Sequence, residues 1–272
     1  MLIAQISDAH VGLPGTLFYD RYDTAAALGR AIVELNRLEP RPDVVLFTGD
    51  LGDKGTPQEY VRIRELLSVL EIPLFVIPGN HDNRDAMLEA FADAAYLPQG
   101  SAFFHYAVED YAIRLVGLDT VAPQEFGAGE LCAERLAWLD ETLAAAPDRP
   151  TIIFMHHPPF DTGIGHMDRI KCANGPALAE LVARHRQVER ILCGHVHRPV
   201  QTRFGGTIAQ IAPSIAHQVP LDLRPDGPPA FIFDPPAFML HHWQPDRGIV
   251  SHTHYIGDFG PAISFSTGEP VA

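Results

Sequence analysis

Short apolar runs alternate with amphipathic stretches along the first two-thirds of the chain, and this alternation predicts the elements. Leu2–Ile6, Val44–Thr48, Leu74–Ile77, Thr151–Met155 and Arg190–Cys193 are brief apolar runs that read as buried strands. Between them, Thr24–Leu38 carries Leu28, Ala31, Ile32, Leu35 and Leu38 at helical spacing, with Asp23 as N-cap and Pro40 and Pro42 marking its end. Thr56-Pro57-Gln58-Glu59 is a capping box with proline at the first helical position. The helix it opens carries Val61, Ile63, Leu66, Leu67 and Leu70. Helices are expected over Asn83–Tyr96, Glu134–Ala146 and Pro176–His185. Phe103–Val108 and Ala112–Leu118 read as paired strands joined by a Glu109-Asp110 turn. Such alternation argues an α/β fold with largely parallel central strands.

The last third differs. From Val200 to Ile256 the pattern is strand-like and broken by Gly and Pro, with a proline-rich stretch over Pro225–Pro236. Antiparallel strands and loops are expected there, forming a cap or an oligomer surface. Phe160–Asn174 has little periodicity and follows His157 closely, which makes it a candidate active-site loop. No internal repeat or low-complexity tract is present.

The polar residues that follow the apolar runs carry the chemistry. They are Asp8-Ala9-His10, Gly49-Asp50, Gly79-Asn80-His81-Asp82, His156-His157 and Gly194-His195-Val196-His197. Ligands of open α/β sheets gather beyond the carboxyl ends of the strands, where all five segments fall. Asp8 and His10, like His195 and His197, are two apart, and in a loop just past the strand each pair can converge on one ion. Asp50 can give one oxygen to each of two metals, and Asn80 adds a neutral amide oxygen. The mixed oxygen and imidazole set suits Zn, Mn, Fe or Co better than Ca or Mg. Two such ions about 3.5–4 Å apart can bind a bridging water, lower its pKa and clamp an in-line phosphoryl displacement. His81 can hydrogen-bond a phosphoryl oxygen or protonate a leaving alkoxide, and Asp82 can orient it.

Composition narrows the setting. At 272 residues the chain suffices for one large domain, or one domain with a small cap. The net charge of −14 disfavours a nucleic-acid polymer or an anionic membrane as partner. Cys132, Cys172 and Cys193 are few and widely spaced, so neither a disulfide framework nor a zinc ribbon is indicated. Reduced thiols, a strand already beginning at Leu2, and no apolar run near the length that spans a bilayer lead to an expected cytoplasmic location.

The ordered set D-x-H, G-D, G-N-H-D, H, G-H-x-H resembles the calcineurin-like metallophosphoesterase superfamily. Within it the chain is most similar to the bacterial class III cyclic nucleotide phosphodiesterases and the related glycerophosphodiesterases. The closer likeness lies in Ile77–Asp82, Phe154–Pro159, Cys193–His197 and Ala216–Pro220. The resemblance implies a four-layer αββα sandwich with a dinuclear centre at one end. It implies one metal on Asp8, His10, Asp50 and His197, and another on Asp50, Asn80, His156 and His195. His81, with Asn80 and His217, would then face the substrate. Residues 1–200 would form the core, and residues 201–272 would complete the sandwich and form a cap or oligomer surface. A homodimer or higher oligomer is implied as well.

Taken singly, an Asp-x-His or a His-x-His is an ordinary loop feature; five segments in order at strand ends are not. His157 reads as a packed neighbour of a ligand, Asp53 as a loop carboxylate, and Cys193, Phe154 and Met155 as core. His217 is open between a substrate contact and a loop histidine. His241, His242, His252 and His254 alternate along strand-like sequence, which suggests solvated sheet faces or an interface. His105, His166 and His185 read as surface residues. A small phosphodiester is the expected substrate, because the motifs contain no Arg or Lys to hold a dianionic monoester and only Arg198 lies near. The alternatives are a monoesterase and a catalytically silent scaffold.

Overall fold

The computed structural model describes residues 1–98, 100–122 and 127–271. Its strands are β1 (Leu2–Ile6), β2 (Val44–Thr48), β3 (Leu74–Ile77), β4 (Tyr106–Val108), β5 (Arg114–Leu118), β6 (Gly129–Glu130), β7 (Thr151–Met155), β8 (Cys172–Ala173), β9 (Val188–Cys193), β10 (Val200–Phe204), β11 (Thr207–Ile211), β12 (Ala237–Gln244) and β13 (Gly248–Tyr255). Its helices are α1 (Thr24–Arg37), α2 (Pro57–Leu67), α3 (Arg84–Ala90), α4 (Ala133–Ala144), α5 (Gly165–Asp168) and α6 (Gly175–Arg184).

Two sheets face each other. The first runs β13-β12-β1-β2-β3, with β1, β2 and β3 parallel and the β12–β13 hairpin joined antiparallel to β1. The second runs β10-β11-β9-β7-β5-β4, with β5, β7, β9 and β11 parallel and an antiparallel strand at each edge. Alternation along β7 shows how the layers pack. Ile152 and Phe154 point into a core shared with β1, β2, β3, α1 and α2. Ile153 and Met155 point the other way, against Leu139 and Leu143 of α4 and Leu178 and Leu181 of α6. The result is a four-layer αββα sandwich, as expected. The chain after residue 200 contributes two strands to each sheet.

Caps fall where the sequence puts them. Asp23 accepts from the Ala26 amide, and Thr56 and Glu59 close the capping box of α2. Several elements are shorter than expected, among them β5, which begins at Arg114, and α4, which ends at Ala144. Helix α3 stops at Ala90, not Tyr96, although Asn83 caps it. The strand expected from Phe103 begins only at Tyr106, because the buried Asp119 carboxylate draws in the Phe104 amide. The Phe160–Asn174 segment is ordered around α5, where the Asp168 carboxylate accepts from the Thr162 and Gly163 amides.

Three histidines depart from expectation. His105 is buried, stacked between Phe103 and Trp138. His166 lines the large cavity described below. His241 is fully buried, on the inward side of the β12 pleat. Its Nε2 lies 3.1 Å from Gln5 Oε1 and its Nδ1 2.8 Å from Ser251 Oγ. Burial, aided by Arg190, holds its pKa down to about 3, so it stays neutral. The Gln5 amide in turn donates to Thr48 Oγ1 at 3.0 Å and to the Cys193 carbonyl of the opposite sheet at 2.9 Å. One polar side chain therefore bridges both sheets inside an apolar core, and its removal strands several buried polar groups. Gln5→Leu should lower stability by about 2 kcal/mol, read as a lower urea midpoint with an unchanged slope. A midpoint equal to the parent's would show that the bridge contributes nothing.

Candidate metal centre

Five parallel strands end at the same rim of the sandwich, and each delivers polar side chains within four residues of its end. Asp8 and His10 follow β1, Asp50 follows β2, and Asn80 and His81 follow β3. His156 and His157 follow β7, and His195 and His197 follow β9. The backbone there is left-handed, with φ of 55° at Asp8, 47° at His10, 53° at Asp50, 73° at His195 and 57° at His197. These turns end the extended strand geometry and gather the four side chains of the two pairs at one rim. Hydrogen bonds donated by the Asp8 amide to the Gly49 carbonyl and by the His10 amide to the Asp50 carbonyl lock the first two turns together.

The donor atoms form two adjoining sets. In the first, Asp8, His10, Asp50 and His197 each offer an atom within 4.8 Å of the others. His10 Nε2 lies 3.2 Å from His197 Nε2 and 3.6 Å from Asp50 Oδ2, and His197 Nε2 lies 3.4 Å from Asp8 Oδ1. In the second, Asn80 Oδ1 sits 2.9 Å from His195 Nδ1 and 3.1 Å from His156 Nε2, which is 3.4 Å from Asp50 Oδ2. Asp50 joins the sets. Its Oδ1 accepts from the His81 amide at 2.8 Å, while Oδ2 faces both.

The donor set fits cations. His156 and His197 give their Nδ1 protons to the carbonyls of Thr48 and His217, each at 2.8 Å, so both Nε2 lone pairs point inward. There they meet carboxylate and amide oxygens that are themselves acceptors, in surroundings where Asp8 and Asp50 are buried. Without a cation the cluster must share protons. Burial opposes the charged form of His156, but the Asp50 carboxylate outweighs it and lifts the pKa to about 9. Burial pushes His10 and His195 well below their ordinary value.

Comparison with known proteins agrees with this geometry. The profile of the calcineurin-like phosphoesterases matches residues 1–199. The chain belongs to that family. The "Probable glycerophosphodiester phosphodiesterase GpdQ" of Arcobacter nitrofigilis is 40% identical over 264 residues, covering 96% of each chain. A "Probable cyclic nucleotide phosphodiesterase" of Rhodopseudomonas palustris is 35% identical over 97% of this chain and 96% of its own. The fold is similar to that of a dimetal phosphatase from Danio rerio, with a TM-score of 0.65 at 16% identity, covering 94% of this chain and 99% of that one.

In this member of the family the His and Asp groups cluster in a way consistent with a dinuclear metal site, and His10, Asp50, His195 and His197 among them line a cavity of about 1030 Å³. His81 lines it, with Nδ1 2.7 Å from the Asp53 carbonyl, to which it donates. The carbonyl of Asp53 thus orients the ring, a role expected of Asp82. The Asp82 carboxylate instead accepts from the amides of Leu51, Gly52 and Gly79 and from the Tyr60 hydroxyl, bracing the Asp50 loop against the Asn80 loop. Tyr60 is buried in α2 at an ordinary helix-face position, so nothing in the sequence marks it for this task. His157 packs as expected, its ring held by Thr120 Oγ1 at 2.8 Å. His217 stands on the cavity wall, its ring centroid 4.6 Å from that of His197 and 5.2 Å from that of His10. Arg198 turns away, to the Val219 carbonyl and Asp234.

Gly79 sits where a Cβ would collide with the backbone and carboxylate of Asp50. After loading with Mn²⁺, Gly79→Ala should therefore retain much less metal than the parent in elemental analysis after gel filtration, while keeping the parent's circular dichroism. Full metal content in this variant would show that the methyl group fits without moving Asp50.

Proposed function

We propose that this chain is a metal-dependent hydrolase of small phosphodiesters, of the glycerophosphodiester or cyclic-nucleotide type. The observation that carries the reading is the convergence of seven donor side chains, with Asp50 Oδ2 facing both sets and His10, Asp50, Asn80, His195 and His197 lining one cavity. In this reading Asp8, His10, Asp50 and His197 hold one ion, and Asp50, Asn80, His156 and His195 hold the other. Mn, Fe, Zn or Co suits the mixed donors. When bound, the pair supplies Lewis acidity at phosphorus and acidifies an attacking water.

The remaining steps fall to the protein. Asn80 and His217 border the bound phosphate. His81, with Nδ1 engaged by Asp53, turns Nε2 toward the substrate, where it stabilises a phosphoryl oxygen or gives a proton to the departing alkoxide. Among the described residues, Lys54 is the sole Lys or Arg along the cavity, and it lies exposed. A monoanionic diester fits that charge balance better than a dianionic monoester. The 40% identity to the Arcobacter protein over nearly its full length, and the likeness to the Rhodopseudomonas protein, support the same class.

The metal-loaded protein should hydrolyse bis(p-nitrophenyl) phosphate faster than p-nitrophenyl phosphate; the reverse order would favour a monoesterase, and no turnover with Mn, Co, Fe or Zn would sink the enzyme reading. Asp50→Ala should abolish activity, and Asn80→Ala should weaken one metal site. His81→Ala should slow turnover by roughly 10²–10⁴-fold if it is the general acid; an unchanged rate would assign it a structural role.

A homodimer or higher oligomer through the C-terminal strands belongs to the same proposal. Its support is that β13 is a sheet edge, and that Val250, Tyr255, Phe259 and Phe265 on and beyond it are exposed. Light scattering should give at least twice the 29.9 kDa chain mass; a monomer would remove this part.

A further inference from the structure

The cavity has two unlike sides. Toward α2 and α3 it is polar, with Lys54, Asp53 and Asn83 among its lining. Toward the loops around residues 18 and 231 it is aromatic. Phe18 stacks on His217 with centroids 4.1 Å apart and planes 21° apart. Phe18, Tyr19 and Phe231 then contact one another at centroid distances of 4.8, 4.9 and 5.3 Å. The rings start one side chain from the Asp–His cluster, since His217 touches both His10 and His197. A group esterified to a phosphate on that cluster is within reach of them.

The wall is costly to present. Tyr19 is 69% exposed, and φ is 48° at Tyr19 and 54° at Asp20. A bulky aromatic held outward by a left-handed turn, over a cavity, is the kind of strain that persists at binding sites. The core of the sandwich does not need it.

We infer that Phe18, Tyr19 and Phe231 form a stacking wall that selects phosphodiesters carrying a neutral aromatic arm. Mutual packing of the rings decides against a cationic arm. A cation boxed by aromatic faces needs each centroid within about 6 Å of it, and rings already touching one another leave no space between them. They offer a continuous surface, which suits offset or edge-on contact with a flat ring. The inference rests on the phosphodiesterase reading above for the position of the phosphate, with the second, polar arm directed toward Lys54 and Asn83.

Calorimetric titration of the Mn²⁺-loaded protein tests this without turnover. The probes are the monomethyl esters of phenylphosphonate, methylphosphonate and 2-(trimethylammonio)ethylphosphonate. The phenyl ester should bind about 5-fold more tightly than the methyl ester, the magnitude of one aromatic contact. That preference should vanish in Phe231→Ala and survive in Phe231→Tyr. Tyr19→Ala, at an exposed position, should also reduce it, and provides the test should Phe231→Ala fail to fold. Equal binding of the phenyl and methyl esters, a preference untouched by either alanine variant, or tighter binding of the trimethylammonio ester would each overturn the wall. Selective binding of the phenyl ester by a protein that hydrolyses no diester would support the wall and sink the hydrolase reading alone.

Discussion

Left-handed backbone at Asp8, His10, Asp50, His195 and His197 is the constraint on which the site depends. If β1 or β9 simply continued, Asp8 and His10, or His195 and His197, would lie along one face but roughly 6–7 Å apart, spread along the strand rather than gathered at its end. Turning these residues to positive φ gathers Asp8 and His10 in one donor set and directs His195 and His197 into the two adjoining sets. The conformation costs a non-glycine residue roughly 1–2 kcal/mol, less for Asp and His than for branched residues. Five such residues together rival the net stability of a typical domain. The sandwich bears this because the turns are tied to one another: Asp8 to Gly49, His10 to Asp50, Gly194 to His156, and both neighbouring loops to the Asp82 carboxylate.

Electrostatics follows from that geometry. A chain of net charge −14 places two buried carboxylates among buried imidazoles, with lone pairs facing lone pairs. Buried charge is tolerated only when paired. Without a cation that pairing would have to come from protons, with His156 raised by Asp50 while burial keeps His10 and His195 neutral. Cations resolve the same conflict more completely, so metal affinity and the integrity of the rim are linked.

Much of this was legible in the sequence because it is local. The apolar runs gave β1, β2, β3 and β7 to the residue, and the capping box gave the start of α2. The strand-end motifs gave every member of the two donor sets. What escaped depends on distant partners. His241 alternates along its strand like a solvent-facing residue, yet its pleat faces Gln5, which itself hides in an otherwise apolar run. Asp82 looks like a partner for the histidine beside it, but three amides and Tyr60 claim its carboxylate, and the Asp53 carbonyl takes the imidazole. The aromatic wall unites loops about two hundred residues apart, and neither has a periodicity to announce it.

The central claim is that Asp50 stands between two cations. Anomalous diffraction from crystals grown with Mn²⁺ tests it directly. The account predicts two peaks about 3.5–4 Å apart, flanking Asp50, one beside Asp8, His10 and His197 and the other beside Asn80, His156 and His195. A single peak, or two peaks that do not share Asp50, would contradict it.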